Sequence, residues 1–513
     1  METSNHFQHN QVETVRCRNV TLPNTITAKL KDHAMMHIEC EAHQVPELRD
    51  YFSFYVPGFK FMPMYKARKW DGKIKLFNSV TRELGAGLYD HLRKFCSDRM
   101  YPLQLEETKY GHPAQKNGVS HINLTKFIEE LNTPFNIRDY QYNAVTHAIT
   151  NKRAILLSPT GSGKSYIIYC LLRWYMDNYD KQVMIVVPTT SLVEQMYKDF
   201  EEYGFDVDKH CHRIYSGKDK TTDKQIIIST WQSIYKFPPK WFENLGCIFG
   251  DEVHLFKAKS LSGIMNKCKN AEYRFGTTGT LDGTETNKLV LESLFGSVHR
   301  VTMTKDLQEK GELAKLNIKV LLLRYHNDVC HMLKESTYQE EMDYIVGCEK
   351  RNNFISKLSL DLKGNTLVLF QYVDKHGKIL FDQMKKMGGE DRKIFYVSGE
   401  VDATDREQIR GIVEGQKNAI IVASLGTFST GINIRNLHNI VFASPSKSQV
   451  KVLQSIGRGL RKSDDGSVTQ LYDIADDMHI RKHKNFTLRH SAERIKIYNK
   501  EQFPYKVYPI DLK

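Results

Sequence analysis

Closely spaced cysteines are missing from this sequence. Its nine cysteines are scattered, and no two of them form a CxxC pair. Cysteine and histidine do not recur at the spacing of zinc ligands either, the nearest approach being the adjacent trio His210, Cys211 and His212. This distribution argues against a zinc domain or a disulfide framework, and it is typical of a chain kept in a reducing cytoplasm.

Long apolar runs are missing as well. The longest, such as Val183–Val187 and Ile420–Ala423, have the length of a β-strand and fall far short of the ~20 residues that span a bilayer. The polar stretch Asn5–Gln11 lacks the apolar core of a signal peptide. Internal repeats and low-complexity tracts are not evident. We therefore expect a soluble, cytoplasmic protein with no membrane partner.

Length and composition indicate a globular protein of several domains. A chain of 513 residues exceeds what one hydrophobic core usually organises. Hydrophobic residues at 41% and charged residues at 26% match folded proteins rather than disordered chains. The net charge of +13 would attract a polyanion, but a solvated basic surface explains it equally well. Charge alone therefore identifies no partner.

Two series of short β-rich runs alternate with amphipathic helical stretches. Such alternation is typical of βαβ units on a parallel sheet buried on both faces, so we predict two tandem α/β domains. The strands expected in the first series are Ala154–Leu157, Val183–Val187, Gln225–Ile228, Cys247–Phe249 and Tyr273–Gly276, and those of the second are Thr366–Phe370, Lys393–Val397, Ala419–Ala423, Ile440–Ala443 and Thr469–Ile474.

The remaining segments suggest domain boundaries. We expect an unassigned extension at residues 1–30, a small α+β module at 31–115, the two α/β domains at 116–297 and 336–480, an interdomain connection at 298–335, and a basic tail at 481–513. The tail interleaves basic and aromatic residues. That pattern fits either a helix packed on the second α/β domain or a segment that faces nucleic acid.

A glycine-rich turn separates a strand from a helix in the first series. It reads Ser158-Pro159-Thr160-Gly161-Ser162-Gly163-Lys164-Ser165. Backbone N–H groups of such a loop surround the β-phosphate of a nucleotide, while a lysine at the position of Lys164 reaches the β and γ oxygens and a hydroxyl at Ser165 binds Mg²⁺. The sequence therefore predicts a site for ATP and Mg²⁺ at this turn.

Two adjacent carboxylates, Asp251 and Glu252, follow another strand of the same series. Because ligands of open parallel sheets bind at the carboxyl ends of the strands, we expect both side chains beside the phosphate site. Asp251 would hold Mg²⁺, and Glu252 would orient and deprotonate the attacking water. An isolated acidic pair is usually a surface turn, so this interpretation depends on the glycine-rich loop.

Further segments resemble motifs of the superfamily 2 helicases, which routinely lack a glycine at the position of Ser158. Arg138-Asp139-Tyr140-Gln141 is similar to their adenine-reading motif, with Gln141 as the base reader and Arg138 beside it. Thr278-Gly279-Thr280 stands where the coupling motif has alanine in place of Gly279. Two segments resemble the motifs that grip the nucleic-acid backbone, and the contacts they imply are Thr189, Thr190, Thr230, Trp231 and Gln232.

The second series resembles the other half of such a motor. Ser424 to Asn433 is similar to the motif that touches both strand and ATP, which implies Ser424 as a nucleic-acid contact and Gly431 and Asn433 as nucleotide contacts. The family's usual aspartate is Asn433 here, so an ATP-ribose or cross-domain contact is in question at that position.

Gln454 to Arg461 resembles the arginine-finger motif. Arg458 and Arg461, three residues apart on a helix, share one face and can both reach a γ-phosphate, where they would stabilise developing charge. The resemblance thus implies two RecA-like domains and an intact ATPase with Lys164, Asp251, Glu252, Gln454 and both arginines in its catalytic set.

The order of the pieces looks like the UvsW-like recombination helicases of T-even-type phages. The matching segments include Tyr65–Gly72, Tyr396–Val401 and Phe428–Ile432. This resemblance implies an ATP-dependent 3′ to 5′ DNA helicase that remodels forks, Holliday junctions and D-loops in recombination, repair and replication restart, with RNA–DNA hybrids as further substrates. Two tandem motors in one chain would make a monomer sufficient. The motifs alone leave open an RNA helicase, a duplex DNA translocase, or a binding or annealing protein regulated by ATP.

Basic and aromatic residues also interleave in the small N-terminal module. Lys69, Trp70 and Lys73 are its candidate DNA contacts, because cations neutralise phosphates and an exposed aromatic stacks on an unpaired base. An ordinary strand with a buried face has the same pattern, and Trp70 would then belong to the core beside a hairpin turn.

Overall fold

The computed structural model describes residues 23–56, 58–215, 217, 219–255, 259–281, 285–388, 392–399, 408–409, 411–413, 415–427, 436–444, 452, 455–457 and 468–512. Among the expected site residues, Gly431, Asn433, Gln454, Arg458 and Arg461 lie outside these ranges. The described chain forms a small N-terminal module and two α/β domains, each built on one parallel sheet.

The N-terminal module is a four-stranded sheet covered by helices. β1 (Ile26–Leu30) pairs antiparallel with β2 (Met35–Glu39) and parallel with β6 (Leu103–Glu106), and β5 (Glu83–Gly85) extends the sheet beyond β2. Alternate residues of β1 and β2 point into the core, as the two-residue period of a strand requires. A separate ribbon pairs β3 (Ser53–Tyr55) with β4 (Lys73–Lys75). The helices are Gln44–Tyr51, Phe59–Phe61, Pro63–Lys66, Ala86–Leu88 and Tyr89–Asp98.

The first α/β domain contains a seven-stranded parallel sheet in the order β13-β7-β12-β11-β8-β10-β9. Its central strands are continuous apolar runs because helices cover both faces. The strands are β7 (Arg153–Leu157), β8 (Gln182–Val187), β9 (Cys211–Ile214), β10 (Ile226–Thr230), β11 (Leu245–Asp251), β12 (Tyr273–Thr278) and β13 (Val298–Arg300). The helices are His121–Glu130, Asp139–Asn151, Lys164–Asn178, Thr190–Glu202, Val207–His210, Trp231–Ile234, Pro239–Phe242, Val253–Leu255, Lys259–Lys267 and Glu285–Phe295.

The second α/β domain has a second seven-stranded parallel sheet, in the order β16-β17-β15-β18-β19-β14-β20. Its strands are β14 (Leu316–Arg324), β15 (Thr366–Phe370), β16 (Ile394–Val397), β17 (Ile420–Ser424), β18 (Asn439–Phe442), β19 (Thr469–Asp477) and β20 (Tyr505–Asp511). The described helices are Thr304–Glu309, which precedes the sheet, and Asn327–Leu333, Tyr338–Gly347, Glu349–Asp361, Val373–Lys378, Ile379–Gly388 and Phe486–Lys500.

Every strand expected in the two series is present, and the two tandem RecA-like domains are confirmed. The structure differs from the expected boundaries at two places. The segment 298–335 contains β13, which belongs to the first sheet, and β14, which belongs to the second. In the expected tail, the helix Phe486–Lys500 packs on β19, and β20 pairs with β14. The tail is therefore part of the second domain.

The N-terminal module is docked on the first α/β domain. His91 Nε2 lies 3.0 Å from Glu292 Oε2, and Ser297 Oγ donates to Asp90 Oδ2 at 2.9 Å. Gly87 packs so closely on the backbone of the helix Glu285–Phe295 that a Cβ atom would overlap the Glu292 carbonyl oxygen. Module and domain therefore share a fitted interface. None of the helices in the described part of the chain is long and apolar enough to cross a membrane.

Candidate nucleotide and nucleic-acid site

The predicted nucleotide residues meet at the carboxyl edge of the first sheet. β7 leads into the glycine-rich loop, β11 ends at Asp251, and β12 ends at Thr278. Because β12 lies between β7 and β11, the loop and the acidic pair are brought together as the sequence predicts. The helix after the loop begins at Lys164.

The glycine-rich loop is held in shape by its own hydroxyl groups. Ser162 Oγ donates to the Pro159 carbonyl at 2.7 Å and lies 2.5 Å from Ser158 Oγ. Gly161 and Gly163 have φ values of +84° and +78°, a conformation that side chains disfavour. At Gly163 a Cβ atom would also overlap the amide of Gln141. The serine at position 158 therefore stabilises the loop through Ser162.

Lys164 and Glu252 face each other across the loop. Lys164 Nζ donates to the Ser158 carbonyl at 3.4 Å and lies 4.0 Å from Glu252 Oε1. Ser165 Oγ shares a hydrogen bond of 2.9 Å with Tyr203 OH. Glu252 has φ +53°, and its Oε2 lies 3.4 Å from His254 Nδ1. The turn after β11 thus places a carboxylate opposite the loop lysine.

Asp251 is buried at the end of β11. Its Oδ1 accepts from Thr277 Oγ1 at 2.8 Å and from the Glu252 backbone N–H at 3.0 Å. Burial and, second to it, the neighbouring Glu252 charge raise the pKa of Asp251 to about 6, against the opposing effect of Lys164. A divalent cation beside this carboxylate would favour its charged form.

The donor set fits Mg²⁺ and a triphosphate. Carboxylate and hydroxyl oxygens are the ligands that Mg²⁺ prefers, and Asp251 and Ser165 supply them at the sheet edge. The loop N–H groups at the start of the helix and the Lys164 ammonium supply positive charge for phosphate oxygens. Gly279 leaves space here, because a Cβ atom would come no closer than 3.5 Å to Lys164 Nζ.

The expected adenine-reading segment is tied to the phosphate loop. Gln141 Nε2 donates to the Ser162 carbonyl at 2.9 Å, and its Oε1 accepts from the Arg138 N–H at 3.0 Å. An amide N–H₂ and an amide oxygen can each make a second hydrogen bond, so Gln141 retains the capacity to contact a base. Gln141 thus lies between this segment and the loop, and its role as base reader stays a prediction.

Tyr140 connects the same segment to the second α/β domain. Its hydroxyl lies 3.2 Å from the Ser162 carbonyl, 3.0 Å from Glu312 Oε2 and 2.7 Å from Arg138 NH1. Arg138 also pairs with Glu312 at 3.0 Å. Burial raises the pKa of Tyr140 to about 12, so the hydroxyl keeps its hydrogen. The ring packs in the hydrophobic core of the second domain.

Two residues of the second half of the chain contact the loop directly. Leu313 lies against Gly161, and Gly457 lies against Thr160 so closely that a Cβ atom would come within 2.8 Å of the Thr160 Cβ. Gly457 directly precedes Arg458 in the sequence. The cleft between the two α/β domains therefore opens onto the phosphate loop.

Comparison with known proteins identifies the family. The family models that match describe the N-terminal domain of DNA helicase UvsW over residues 25–106, the Res subunit of type III restriction enzymes over 134–283, and the conserved C-terminal helicase domain over 349–463. The ATP-dependent DNA helicase uvsW of Enterobacteria phage T4 is 35% identical over 95% of this chain and 100% of its own length. The chain belongs to the UvsW family of superfamily 2 DNA helicases.

Solved structures agree with this assignment. The crystal structure of T4 UvsW covers 95% of this chain and 100% of its own length, with 34% identity and a TM-score of 0.51. A more distant relative, the DNA 3′-5′ translocase XPB2 of Sulfurisphaera tokodaii, is 24% identical over 80% of this chain and 91% of its own length. Membership of the UvsW family implies the use of ATP.

In this UvsW-family chain, four expected nucleic-acid residues lie at the sheet edge of the first domain. Thr189 caps the helix Thr190–Glu202 by accepting from the Leu192 N–H at 3.4 Å, and Thr190 is exposed. Gln232 is exposed, and its Nε2 donates to the Pro188 carbonyl at 3.4 Å. Trp231 is half-buried against Tyr235. The two motifs thus form one continuous surface.

Thr230 and Ser424 are placed differently from the expectation. Both are buried, with 4% and 7% of their surface exposed. Thr230 Oγ1 shares a hydrogen bond of 2.9 Å with Ser233 Oγ, and Ser424 Oγ donates to Thr427 Oγ1 at 2.7 Å. Each side chain shapes the turn that follows a strand, and neither is offered to a ligand in this structure.

The candidates of the N-terminal module lie on its separate ribbon. Lys69 is exposed, while Trp70 is half-buried and its Nε1 donates to the Lys73 carbonyl at 2.8 Å. The ammonium of Lys73 lies 5.1 Å from the centre of the Tyr55 ring. Trp70 is therefore engaged within the ribbon without being buried in a core, and its contact with DNA stays a prediction.

The described residues contain no group of three or more His, Cys, Asp or Glu side chains arranged to hold a metal ion. At the adjacent trio, His210 stacks on Phe205, Cys211 is buried and His212 contacts the Asp219 carbonyl. The three side chains have separate environments. The trio is therefore a structural part of β9 and the turn before it.

Sequence reasoning missed three residues that the structure places around the site. Thr277 and His254 flank the acidic pair and are adjacent to quoted motifs, so a search of neighbouring polar positions could have found them. Glu312 lies in the interdomain connection beyond any motif. Only the docking of that connection on the phosphate loop reveals it.

Proposed function

We propose that this UvsW-family helicase unwinds and branch-migrates branched DNA. Its substrates are forks, Holliday junctions and D-loops, with R-loops as a further one, and the setting is recombination, repair and replication restart in the host cytoplasm. The observation that carries the proposal is the basic ribbon of the N-terminal module, fixed to the ATP-binding domain through the Glu292 interface. A module fixed to the motor can hold a duplex arm at a constant distance from the translocated strand.

The ATP site works through residues at the first sheet edge. Lys164 and the loop N–H groups bind the β and γ oxygens, while Ser165 and Asp251 hold Mg²⁺. Transfer of the γ-phosphoryl group from bound Mg²⁺-ATP to water would supply the free energy of the cycle. Glu252 accepts the proton of the attacking water, from a position 4.0 Å across from Lys164 Nζ. Gln141 and Arg138 bind the adenine, and Asn433 and Gly431 bind the nucleotide from the second domain.

Closure of the cleft completes the catalytic set. The segment around Gly457 contains Gln454, Arg458 and Arg461 in the sequence. Gly457 itself lies against Thr160. When the domains close, the two guanidiniums stabilise charge on the γ-phosphate. Hydrolysis removes this contact and lets the domains open again. Two tandem domains in one chain make a monomer sufficient for this cycle.

The cycle moves nucleic acid along the exposed sheet edge. Thr190 and Gln232 contact the backbone there, with Thr189 and Trp231 positioning them. We assign 3′ to 5′ polarity, which is also the direction in the name of the relative XPB2. Contacts to a phosphate backbone carry no sequence information, which suits an enzyme that acts on branches of any sequence.

A panel of matched substrates tests the proposal. Fork, four-way junction, D-loop, R-loop and plain duplex are incubated with the full chain and ATP, and products are resolved by native gel electrophoresis. We expect branched DNA to be converted much faster than plain duplex, and an equivalent RNA fork to be a poor substrate. Lys164→Ala is the control, because it removes the phosphate-site cation without touching the nucleic-acid surface.

Three outcomes would contradict the proposal. Equal or faster conversion of the RNA fork would identify an RNA helicase. Translocation on plain duplex without product from any branched substrate, scored by displacement of a bound protein roadblock, would identify a duplex translocase. ATP-independent strand annealing as the sole activity would instead indicate a binding protein that ATP regulates.

A further inference from the structure

The ribbon of the N-terminal module carries a folded loop between its two strands. β3 and β4 pair in register from Ser53 with Lys75 to Tyr55 with Lys73, and Val56 N–H donates to the Gly72 carbonyl at 2.8 Å at the base of the loop. The described loop residues form two short helical turns, Phe59–Phe61 and Pro63–Lys66. The loop therefore has a defined shape at the end of the ribbon.

An aromatic cluster supports the loop from inside. The Phe59 ring stacks on Tyr55 with centres 4.6 Å apart and meets Tyr65 edge-on at 4.7 Å. Gly72 lies beneath it, where a Cβ atom would overlap the Phe59 ring. Trp70 is occupied by its hydrogen bond to Lys73. The aromatics that the sequence offered for base stacking are thus largely engaged in support.

Phe61 is the aromatic that this support leaves outside. Its side chain is 80% exposed, and Met62 and Met64 beside it are 37% and 55% exposed. Three large apolar side chains exposed within four residues cost free energy in water, and such groups mark surfaces that contact a ligand. Phe61 stands at the end of a turn whose other aromatic, Phe59, is fixed by its neighbours.

Cations line a basin on the same loop as Phe61. An open basin of about 690 Å³ is lined by Lys60, the residue before Phe61, and by Tyr65, Lys66, Arg68, Lys69 and Lys75, together with Trp70 and Asp71. Asp71 is the one acidic lining residue and pairs with Lys75 at 2.7 Å. Hydrogen bonds from Lys75 and the Lys73 backbone lower the pKa of Asp71, so it stays charged and paired. The basin therefore carries a net positive charge suited to a phosphate backbone.

We propose that Phe61 is a strand-separating tip of this helicase. The basin binds the phosphates of a duplex arm at a DNA junction, and the Phe61 ring stacks on the last base pair of that arm, so that each motor step pulls one strand away past the ring. The inference rests on the proposed action on branched DNA and adds the element that divides the duplex. Positive charge on the same loop as an exposed apolar ring favours a nucleic-acid end over an apolar protein surface.

Phe61→Ala tests the tip separately from binding. The full-length variant is compared with the wild type for fork and junction unwinding, for affinity to the same substrates across a salt series, and for ATPase stimulated by single-stranded DNA. We expect unwinding at saturating enzyme to fall about tenfold, because the ring no longer divides the duplex, and affinity to fall about tenfold with the loss of one base–aromatic stack. The salt slope and the ATPase should stay near wild type. Phe61→Trp should restore unwinding, because it restores the ring.

A fluorescent base reports the contact directly. With 2-aminopurine in the last base pair of a fork arm, binding of the wild type without ATP should change the fluorescence, and binding of Phe61→Ala should not. Val80→Ala is the matched control, since Val80 is 89% exposed elsewhere in the same module. It should match the wild type in every assay.

The outcomes separate the tip from the wider proposal. Wild-type unwinding and fluorescence by Phe61→Ala would overturn the tip even if the enzyme remodels forks. A loss of affinity with wild-type unwinding at saturating enzyme would also overturn it, since Phe61 would then be only a binding residue. The basin is tested by Lys66→Ala with Lys69→Ala, which should lower the salt slope by about one unit per lost phosphate contact. An unchanged slope would overturn the binding surface on which the tip depends.

Discussion

Glu252 is held in a strained backbone conformation at the point where hydrolysis needs a base. Its φ of +53° directs the carboxylate toward Lys164 and His254. Non-glycine residues in this region cost free energy, and such strain is concentrated at functional sites. The turn after β11 therefore supports a catalytic role for Glu252 independently of sequence motifs.

Glu252→Gln should bind Mg²⁺-ATP normally and hydrolyse it about 10²-fold more slowly, because the amide keeps the shape but cannot accept the proton. Equilibrium binding of ATP and single-turnover hydrolysis measure the two effects. Glu201→Gln, on an exposed helix face, is the control and should behave as wild type. Normal turnover by the Glu252 variant would place the base elsewhere.

The two glycines around Lys164 differ in what they can tolerate. At Gly279 a Cβ atom would make ordinary contacts, 3.5 Å from Lys164 Nζ and 3.6 Å from the Ser158 carbonyl, so Gly279→Ala should keep ATPase within about twofold. At Gly163 the φ is +78° and a Cβ atom would overlap Gln141, so Gly163→Ala should lose most activity. Steady-state ATPase of the two variants, with thermal melting to confirm folding, checks the contrast. A damaging Gly279→Ala would show that the loop needs more space than this structure provides.

At the scale of elements, the interdomain connection contacts the predicted nucleotide site through Tyr140. Tyr140 OH has one hydrogen and two acceptors, the Ser162 carbonyl and Glu312 Oε2. A movement of the Ser162 carbonyl therefore changes the hydrogen bond between Tyr140 and Glu312 in the connection that leads into β14.

Tyr140→Phe removes that hydroxyl and leaves the ring packed. We expect ATP affinity to fall about three- to tenfold and the stimulation of ATPase by DNA to weaken, in line with the loss of one buried hydrogen bond. Tyr142→Phe on the same helix is the matched control, because its hydroxyl contacts only His121 and Thr125. Equal effects of the two variants would remove any special role of Tyr140.

Hydrophobic pattern explains which elements the sequence could predict. The central strands of both sheets are apolar runs because they are buried on both faces, and these were all predicted. β20 was not, since its residues are mostly exposed at a sheet edge and it contains Pro509. β13 has three residues, too few for a periodic signal. β14 is apolar, but it lies in a segment whose mixed character favoured a connection.

The candidate site divides in the same way, into residues that a local pattern predicts and contacts that only domain packing creates. Motif residues that end neighbouring parallel strands were predicted together, because the topology alone brings Lys164 and Asp251 to one edge. The contacts of Tyr140 with Glu312, and of Gly457 with Thr160, join distant segments through the packing of two domains. No local pattern encodes them. Exposure could not be predicted either, so Trp70 was preferred to Phe61.

At the scale of the whole molecule, buried and half-buried histidines make the stability depend on pH. Burial lowers the pKa of His33 and His376 to about 3 and that of His147 to about 4. His376 is fully buried in a π-helical turn, close to the Arg351 charge, and Arg351 pairs with Asp476. The unfolded chain binds a proton on each of these histidines near pH 6.5 and the folded chain does not.

Stability from these groups is therefore present above pH 6.5 and is lost as the pH falls toward 4. For His376 alone the loss is about 1.4 kcal/mol per pH unit in that window. His376→Gln should lower stability at pH 7.5 but flatten its decline from pH 6.5 to 5, as measured by urea unfolding. His326→Gln, at an exposed position, is the control and should keep the wild-type slope. Parallel curves for His376→Gln and wild type would contradict a neutral buried imidazole.

The pairing of β20 with β14 has a consequence for synthesis. β14 opens the second sheet and lies between β19 and β20, so its outer edge stays unpaired until Tyr505–Asp511 leaves the ribosome. The N-terminal module and the first sheet use only residues up to Arg300 and can close long before that. A nascent chain stalled before Tyr505 should therefore resist protease over its first half and be cut in its second. A chain with an added C-terminal extension, long enough to bring Asp511 out of the ribosome, should resist protease in both halves. During translation the ATP-binding half would therefore fold before the second α/β domain, which completes the cleft.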